Sequence, residues 1–156
     1  MAEYTANASQ IINPGESAIF TEAPVPCERG LVNWREGTGN FLLSGWIPYR
    51  GGCYCNTRRK SALYLADFGA NIAIPTGGTV EPISVAITID GSTIPASTMT
   101  VTPAAVEEFF NVSRGISAKI WNGCCETVTI RNISSQPIEM INASLRFSRP
   151  DLTMTY

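Results

Sequence analysis

The sequence predicts an all-β protein, a β-sandwich or jelly roll. Apolar and polar residues alternate with a period of two in many short segments, which is the pattern of a strand with one buried face. Turn residues separate these segments at roughly ten-residue intervals. Only 15% of the 156 residues are charged, against about a quarter in an average soluble protein, and Ser, Thr, Asn and Gly are plentiful. This composition is typical of short strands joined by tight turns.

The length of the chain predicts a single domain with one core. Three parts are expected: an N-terminal arm or first short strand over residues 1–17, the sandwich over residues 18–149, and a C-terminal tail over residues 150–156. Residues 1–9 are polar and small, which favours an arm that becomes ordered only against a neighbour.

The first strands are predicted around an Asn13-Pro14-Gly15-Glu16 turn. Residues 10–12 are expected to pair with the strand at residues 17–22, because Pro presets one turn residue and Gly tolerates a positive φ at the next. Residues 23–26, Ala-Pro-Val-Pro, are extended. They are excluded from the centre of a sheet because proline lacks an N–H donor.

The middle of the chain contains the longest regular segment. Residues 31–35 and 40–47 are predicted strands joined by a glycine-containing hairpin. Residues 61–74 alternate throughout. A helix competes for the first half of this segment, but the period of two continues past Gly69, which favours a strand with a bend or bulge there.

The following segments continue the pattern. Residues 83–89 alternate, and Asp90-Gly91 predicts a hairpin to a returning strand at residues 92–94. Residues 99–102 form a short strand. Residues 103–110 are either one helical turn, with Thr102 as N-cap and Pro103 in the first position, or the lead into a strand; the sequence leaves both open.

The last third of the chain alternates again. Residues 116–120 do so before Asn122-Gly123, and residues 127–148 do so on both sides of the break at residues 134–137. This predicts a C-terminal hairpin. Its apolar face must be covered by another sheet or by a partner subunit.

The chain contains no histidine, and this narrows the chemistry open to it. Ser-His and Cys-His nucleophile pairs and histidine metal sites are excluded. Glu107 with Glu108, and Asp67 with Asp90, are the carboxylate pairs that could act as acid and base, but solvated surface charge explains them better. We therefore predict a non-enzymatic protein with no catalytic residue and no cofactor.

Five cysteines raise the question of a metal or a disulfide. Cys53-x-Cys55 and Cys124-Cys125 would supply four thiolates if their loops met, but neither pair has the usual zinc spacing of roughly two to four residues. We predict no metal. A disulfide between the loops and free thiols both remain open, and Cys27 is expected to be a small buried hydrophobe.

Charge and hydropathy exclude two classes of partner. The net charge is −2, so nucleic acid is not an expected partner. No window is long and apolar enough to span a bilayer, and the first residues do not resemble a secretory signal. We therefore expect the chain to fold in the cytoplasm.

Residues 49–60 are glycine-rich and basic, and they predict a long exposed loop. The loop would contact a ligand or a surface through six aromatic and basic side chains: Tyr49, Arg50, Tyr54, Arg58, Arg59 and Lys60. The alternative is a solvated loop. Trp34, Trp46 and Trp121 would make either a sugar-binding platform or part of a core or interface.

Several segments carry a resemblance: residues 72–80 and 83–91, residues 123–132, Asn13-Pro14-Gly15 and the strand at residues 141–145. They resemble small structural proteins encoded by phages and prophages of gut Firmicutes. Such proteins are similar to the compact trimeric jelly rolls of the tumour necrosis factor and C1q type, found as capsid decorations, head fibres and tail-tip domains. The similarity covers most of the chain.

The resemblance implies a homotrimer with an axis lined by apolar and aromatic residues, for which we predict Phe109, Phe110, Trp121 and Phe147. It implies a virion structural protein, a capsid decoration or head fibre, folded in the bacterial host cytoplasm. Its partners would be other copies of itself and the major capsid protein or another virion protein. The alternative is a carbohydrate-binding or receptor-binding module of a phage tail or fibre, with a host-surface glycan as ligand.

Overall fold

The computed structural model describes residues 1–27, 29–47 and 61–152. Its architecture confirms the predicted all-β jelly roll, in which two antiparallel sheets pack face to face. The strands in these ranges are β1 (Ala2–Ala6), β2 (Gln10–Ile12), β3 (Glu22–Val25), β4 (Val32–Trp34), β5 (Phe41–Ser44), β6 (Ser61–Ala73), β7 (Ile83–Ile89), β8 (Ser92–Thr93), β9 (Met99–Val101), β10 (Phe110–Trp121), β11 (Cys125–Asn132) and β12 (Ile138–Ser148).

The strands divide into a first and a second sheet. The first sheet has the order β10-β6-β12-β1-β3, with β2 also paired to β12; the second has the order β4-β5-β11-β7-β8, with β9 also paired to β7. From β9 onward the chain changes sheet at each connection: β10 lies in the first sheet, β11 in the second and β12 in the first. Loops therefore cross the two ends of the sandwich.

Alternate side chains of the strands fill the space between the sheets. On β6 the inward residues, from Ala62 to Ile72, are fully buried, while the residues between them are partly exposed. Phe41 is at the centre of an aromatic cluster, with ring centroids 4.8 Å from Tyr4, 5.2 Å from Phe20 and 5.4 Å from Phe147. The two-residue period thus produces one continuous core.

Two predicted hairpins and the long strand are confirmed. β4 pairs with β5, β6 runs through Gly69 without a break, and β7 pairs with β8. Asp90 and Gly91 both have a positive φ, 48° and 81°, as expected for the two-residue turns that suit the twist of a hairpin. β3 is an edge strand, which is where its proline can be accommodated.

Residues 1–17 contain short strands, which is the second of the two predicted alternatives, and they do not form an arm. β1 lies between β12 and β3 within the same chain, and Ala2, Tyr4 and Ala6 are buried. Buried and partly exposed residues alternate over only the five residues of β1. The polar residues around this short strand hide its alternation in the sequence. β2 pairs with β12 and not with residues 17–22, although the predicted turn forms, with Gly15 at φ 79°.

The prediction of a C-terminal hairpin is also wrong. β11 pairs with β5 and β7 in the second sheet, whereas β12 pairs with β6, β1 and β2 in the first. The side chain of Asn132 donates hydrogen bonds to the carbonyls of Ile12 and Gln136, both at 2.9 Å. This buried amide stabilises a crossing between the sheets in place of a tight turn.

One further segment differs from the predictions, and for another the structure shows which of the two open alternatives forms. In place of the predicted strand at residues 17–22, residues 17–21 make only isolated bridges, Ser17 with Arg131 and Phe20 with Thr38, and β3 begins at Glu22. Residues 103–109 form turns that lead into β10 and no helix. None of the described helices is long and apolar enough to cross a membrane.

Candidate functional site

Two tryptophans are exposed at one end of the sandwich. Trp46 lies two residues beyond β5 and is 47% exposed, and Trp121 is the last residue of β10 and is 56% exposed. Each presents a large apolar ring to solvent, which is common where a surface contacts a partner. We call this pair the tryptophan site.

Gly45 brings the two segments of the tryptophan site together. Its N–H donates to the carbonyl of Cys124 at 2.9 Å, and a Cβ atom on this residue would lie 2.0 Å from the carbonyl oxygen of Trp121. Only glycine permits this approach. The turn below it is closed by a 2.9 Å hydrogen bond from the N–H of Cys124 to Trp121, with Gly123 at φ 83°. The backbones that present the two indoles therefore pack directly on each other.

A buried polar cluster lies beneath Trp46. Arg149 is 6% exposed and donates to the carbonyl of Trp46 at 3.1 Å. Its Nε and Nη2 donate to the two carboxylate oxygens of Asp151, each at 2.8 Å. The guanidinium carbon lies 4.8 Å from the centroid of the Tyr64 ring, and the Tyr64 hydroxyl lies 2.6 Å from the carbonyl of Ser44. Two hydrogen bonds therefore fix the backbone near Trp46: one from Arg149 to the carbonyl of Trp46 and one from Tyr64 to the carbonyl of Ser44.

The ionisation of this cluster follows from its burial and its charges. Burial alone would raise the pKa of Asp151, but hydrogen bonds from Arg149 and its positive charge outweigh burial and lower that pKa below the usual value. Burial would lower the pKa of Arg149, but its bonds to Asp151 and Tyr64 keep that pKa above the usual value. Burial raises the pKa of Tyr64. At neutral pH the cluster is therefore an ion pair beneath a neutral phenol.

Trp34 does not belong to the exposed pair. Its ring centroid lies 5.0 Å from that of Tyr4, its ring stacks on Phe41 at 6.3 Å, and its indole N–H donates to the carbonyl of Thr38 at 3.0 Å. Of the three tryptophans considered for a sugar platform, this one packs against the core.

The residues predicted to line a subunit interface do not form one patch on a single chain. Phe109 and Phe110 are 38% and 37% exposed at the start of β10. Trp121 ends that strand, roughly 35 Å away at the rise of an extended chain. Phe147 is 1% exposed and lies in the core, so the prediction that it lines an interface is corrected: its inward position on β12 commits it to contacts with Phe41 and Tyr4.

The predicted loop site lies outside the described residues: Tyr49, Arg50, Tyr54, Arg58, Arg59 and Lys60. The same is true of Cys53 and Cys55. Cys124 and Cys125 are exposed free thiols next to Trp121, and Cys27 is a half-buried one. Among the residues that the structure describes, no group of three or more Cys, Asp or Glu side chains could hold a metal ion.

The carboxylate pairs have structural contacts. Glu108 accepts from the N–H of Ala104 at 3.0 Å, and Glu107 accepts from the hydroxyl of Thr76 at 2.5 Å. Asp90 accepts from the N–H of Thr127 at 2.7 Å in the second sheet, whereas Asp67 lies on β6 in the first. The fold therefore does not pair Asp67 with Asp90.

Sequence reasoning missed Arg149, Asp151 and Tyr64. The signal available was an Arg-Pro-Asp sequence directly after the last strand, where a short 3-10 turn, Pro150–Leu152, folds the carboxylate back on the arginine. Tyr64 lies in the segment that the alternation predicts as a strand, but its hydrogen-bond partners, Leu31 and Ser44, come from distant parts of the chain.

Solved structures provide the comparison for this fold. The globular domain of the zebrafish complement 1qA protein matches with a TM-score of 0.56 at 9% identity, over 96% of this chain and 95% of that chain. This chain shares the jelly-roll fold of that domain. At such low identity, the likeness concerns the fold alone.

Two weaker matches are sugar-binding proteins by description. The C-terminal domain of EclA, a sugar-binding protein, matches with a TM-score of 0.41 at 12% identity, over 92% of this chain and 79% of that one. A family 35 carbohydrate-binding module from an environmental isolate matches with a TM-score of 0.38 at 13% identity, over 96% and 94%. These likenesses are too weak to support an argument. No protein-family model and no curated protein matches the chain.

Proposed function

We propose that this chain is a non-enzymatic recognition module that binds a glycan through Trp46 and Trp121. The observation that carries the proposal is the position of two exposed indoles on segments that pack backbone to backbone. The flat apolar face of an indole suits the C–H face of a sugar ring, and its N–H donates to a hydroxyl. Each of the two tryptophans supplies one apolar face and one N–H donor.

The rigidity of the site supports this function. Ordering side chains and loops on binding costs free energy, roughly 0.5–1.5 kcal/mol for each immobilised side chain. The backbone of Trp46 is already held by Arg149, and that of Trp121 is held against Gly45. Fully burying an exposed large apolar side chain contributes roughly 1.5–3 kcal/mol. About half of each tryptophan is exposed, so covering both would contribute roughly 1.5–3 kcal/mol in total.

The charge of the chain favours an uncharged glycan. A net charge of −2 gives no general attraction for a polyanion. Stacking on an aromatic face requires no charge on the ligand. A neutral oligosaccharide of a cell surface is therefore the ligand class that the site fits best.

The test is a glycan array followed by calorimetric titration of the best oligosaccharide. Trp46→Ala and Trp121→Ala are each expected to weaken binding tenfold or more, which is about 1.4 kcal/mol. Phe110→Ala is the matched control, because it removes an exposed aromatic ring from the opposite end of β10. No signal on the array, or an unchanged affinity in both tryptophan variants, would exclude glycan binding at this site.

The second candidate is the predicted structural role, a homotrimer that decorates a virion. It is supported by the outer face of the first sheet, which points away from the core. Strand register places Gly115, Asp67, Arg146 and Glu3 in one row across four strands. The next row contains Ser117, Leu65 and Ser148.

This outer face carries both signs of charge and a half-buried leucine, Leu65. A second copy would meet opposite charges and one apolar side chain on this face. The location in a virion, and the major capsid protein or another virion protein as partner, stay predictions. Detection of the protein in purified particles would support them, and its absence from such particles would contradict them.

A further inference from the structure

A cavity of about 630 Å³ opens at the side of the sandwich, and its inner wall includes Tyr64 and Arg149 of the polar cluster beneath Trp46. It lies where β3, the edge of the first sheet, faces β4, the edge of the second. The two sheets are not hydrogen-bonded to each other along these edges. The cavity therefore reaches inward between them, as far as Phe147 and Tyr64. We call it the side cavity.

Most of the described residues that line the side cavity are apolar. Five of them are Val25, which ends β3, Pro26, which follows it, Leu31, which precedes β4, Val32, which begins β4, and Leu152 of the C-terminal turn. The volume is within the range of small-molecule sites, roughly 300–1,000 Å³. A hydrocarbon chain in the cavity would displace water, and burying the apolar surface of the wall in this way is favourable.

The charged side chains among the described residues that line the cavity are two arginines. Arg149 lies at the back, where Asp151 balances its charge at 2.8 Å. Arg29 lies at the mouth and is exposed. No carboxylate is among the described residues that line the cavity. A ligand with an apolar body and one anionic group would therefore place its charge at Arg29.

We propose that the side cavity binds an aliphatic monocarboxylate, with its chain against Leu31 and Val32 and its carboxylate at Arg29. Arg29 supplies a planar fork of donors that matches a carboxylate. The half-buried thiol of Cys27 lines the same cavity. Occupancy of the cavity covers this thiol.

The probes are sodium decanoate and, as its uncharged counterpart, decan-1-ol. Calorimetric titration is expected to show saturable decanoate binding with one site per chain and at least tenfold weaker binding of decan-1-ol. Bound decanoate is expected to slow the alkylation of Cys27 at least threefold, measured by peptide mass spectrometry. The exposed Cys124 is the internal control, and its alkylation rate is expected to stay constant.

Two variants test the location. Arg29→Glu, at an exposed position, is expected to weaken decanoate binding at least tenfold and leave decan-1-ol binding unchanged. Leu31→Trp fills the cavity and is expected to abolish the binding of both. Val80→Trp, at a residue that is 52% exposed and outside the cavity, is the control for adding an indole.

Three outcomes would overturn the proposal: no saturable decanoate binding, binding that both Arg29→Glu and Leu31→Trp leave intact, or an unchanged alkylation rate of Cys27. If Leu31→Trp does not fold, the decanoate affinity of Arg29→Glu and the alkylation rate of Cys27 test the proposal without it. Glycan binding at Trp46 and Trp121 is a separate measurement, so either proposal can fail without the other.

Discussion

The guanidinium of Arg149 donates a 3.1 Å hydrogen bond to the carbonyl oxygen of Trp46. This contact joins the residue after the last strand to the residue that carries an exposed indole, 103 positions earlier in the chain. A buried ion pair is a costly way to hold a loop, because both charges must leave water. Its presence beneath the tryptophan site indicates that the position of this backbone is well defined.

The first prediction concerns Arg149. Arg149→Met leaves the Asp151 carboxylate, whose side chain is 8% exposed, without its bidentate donor. Breaking a buried ion pair typically costs about 3–5 kcal/mol, and we expect a loss of unfolding free energy of that size in guanidinium chloride titration. Arg35→Met, at an exposed position, is the control and is expected to change little. A loss in Arg149→Met no larger than that in Arg35→Met would contradict the prediction.

The second prediction concerns pH. The folded pKa of Asp151 is below its unfolded value, which is about 3.9. Its contribution to stability is therefore complete above that unfolded pKa and is lost as the pH falls through the lower folded value. We expect the difference in unfolding free energy between the parent chain and Asp151→Asn to be constant from pH 7 to pH 5. It then shrinks as the pH decreases below about 3.9. Denaturant titrations across this range measure it, and a difference that does not change with pH would refute the assignment.

The third prediction concerns Gly45. Gly45→Ala would place a Cβ atom 2.0 Å from the backbone oxygen of Trp121, and a backbone contact of this kind cannot be relieved by a side-chain rotation. We expect a loss of more than about 2 kcal/mol in unfolding free energy, together with weaker glycan binding. Gly69→Ala is the matched control, because its nearest neighbours would lie at 3.8 and 3.9 Å, ordinary contact distances. Equal stabilities of the two variants would show that the two backbones are not tightly packed.

The fourth prediction concerns self-association. Light scattering after size exclusion is expected to give three times the 16.8 kDa mass of the chain, unchanged by reductant or chelator. Leu65→Asp adds a charge to the outer face of the first sheet and is expected to reduce the mass to that of the monomer. Leu42→Asp makes the same change at an exposed position on the second sheet and is expected to leave the trimer intact. A monomeric parent chain would rule out the trimer, and loss of the trimer with reductant would point to the cysteines.

Several elements of the fold follow from local sequence alone. The alternation over β6, β7 and β12 predicts strands in the right places, because a strand between solvent and core must alternate whatever lies opposite it. Asp90-Gly91 predicts its hairpin because few residues tolerate two consecutive positive φ angles. These signals need no knowledge of the rest of the chain.

The candidate site was only partly predictable. Trp46 and Trp121 stand out as large aromatics near strand ends, but exposure separates them from Trp34, which packs on Tyr4 and Phe41. Phe147 was predicted to line a subunit interface, but it is buried within the chain. Its alternation indicates one face of a strand, but a two-residue period does not say whether that face is covered by the chain itself or by a partner.

The sequence by itself determined the strands, most of the turns, the all-β class and the absence of histidine chemistry. Only tertiary contacts establish which strands share a sheet, that β1 lies inside a sheet between β12 and β3, and that Arg149 lies beneath Trp46. The reason is physical. Alternation and turn chemistry act over two to about ten residues, whereas strand pairing and a buried ion pair depend on groups that only folding brings together. The partners of β11 and β12 were therefore beyond the reach of local patterns.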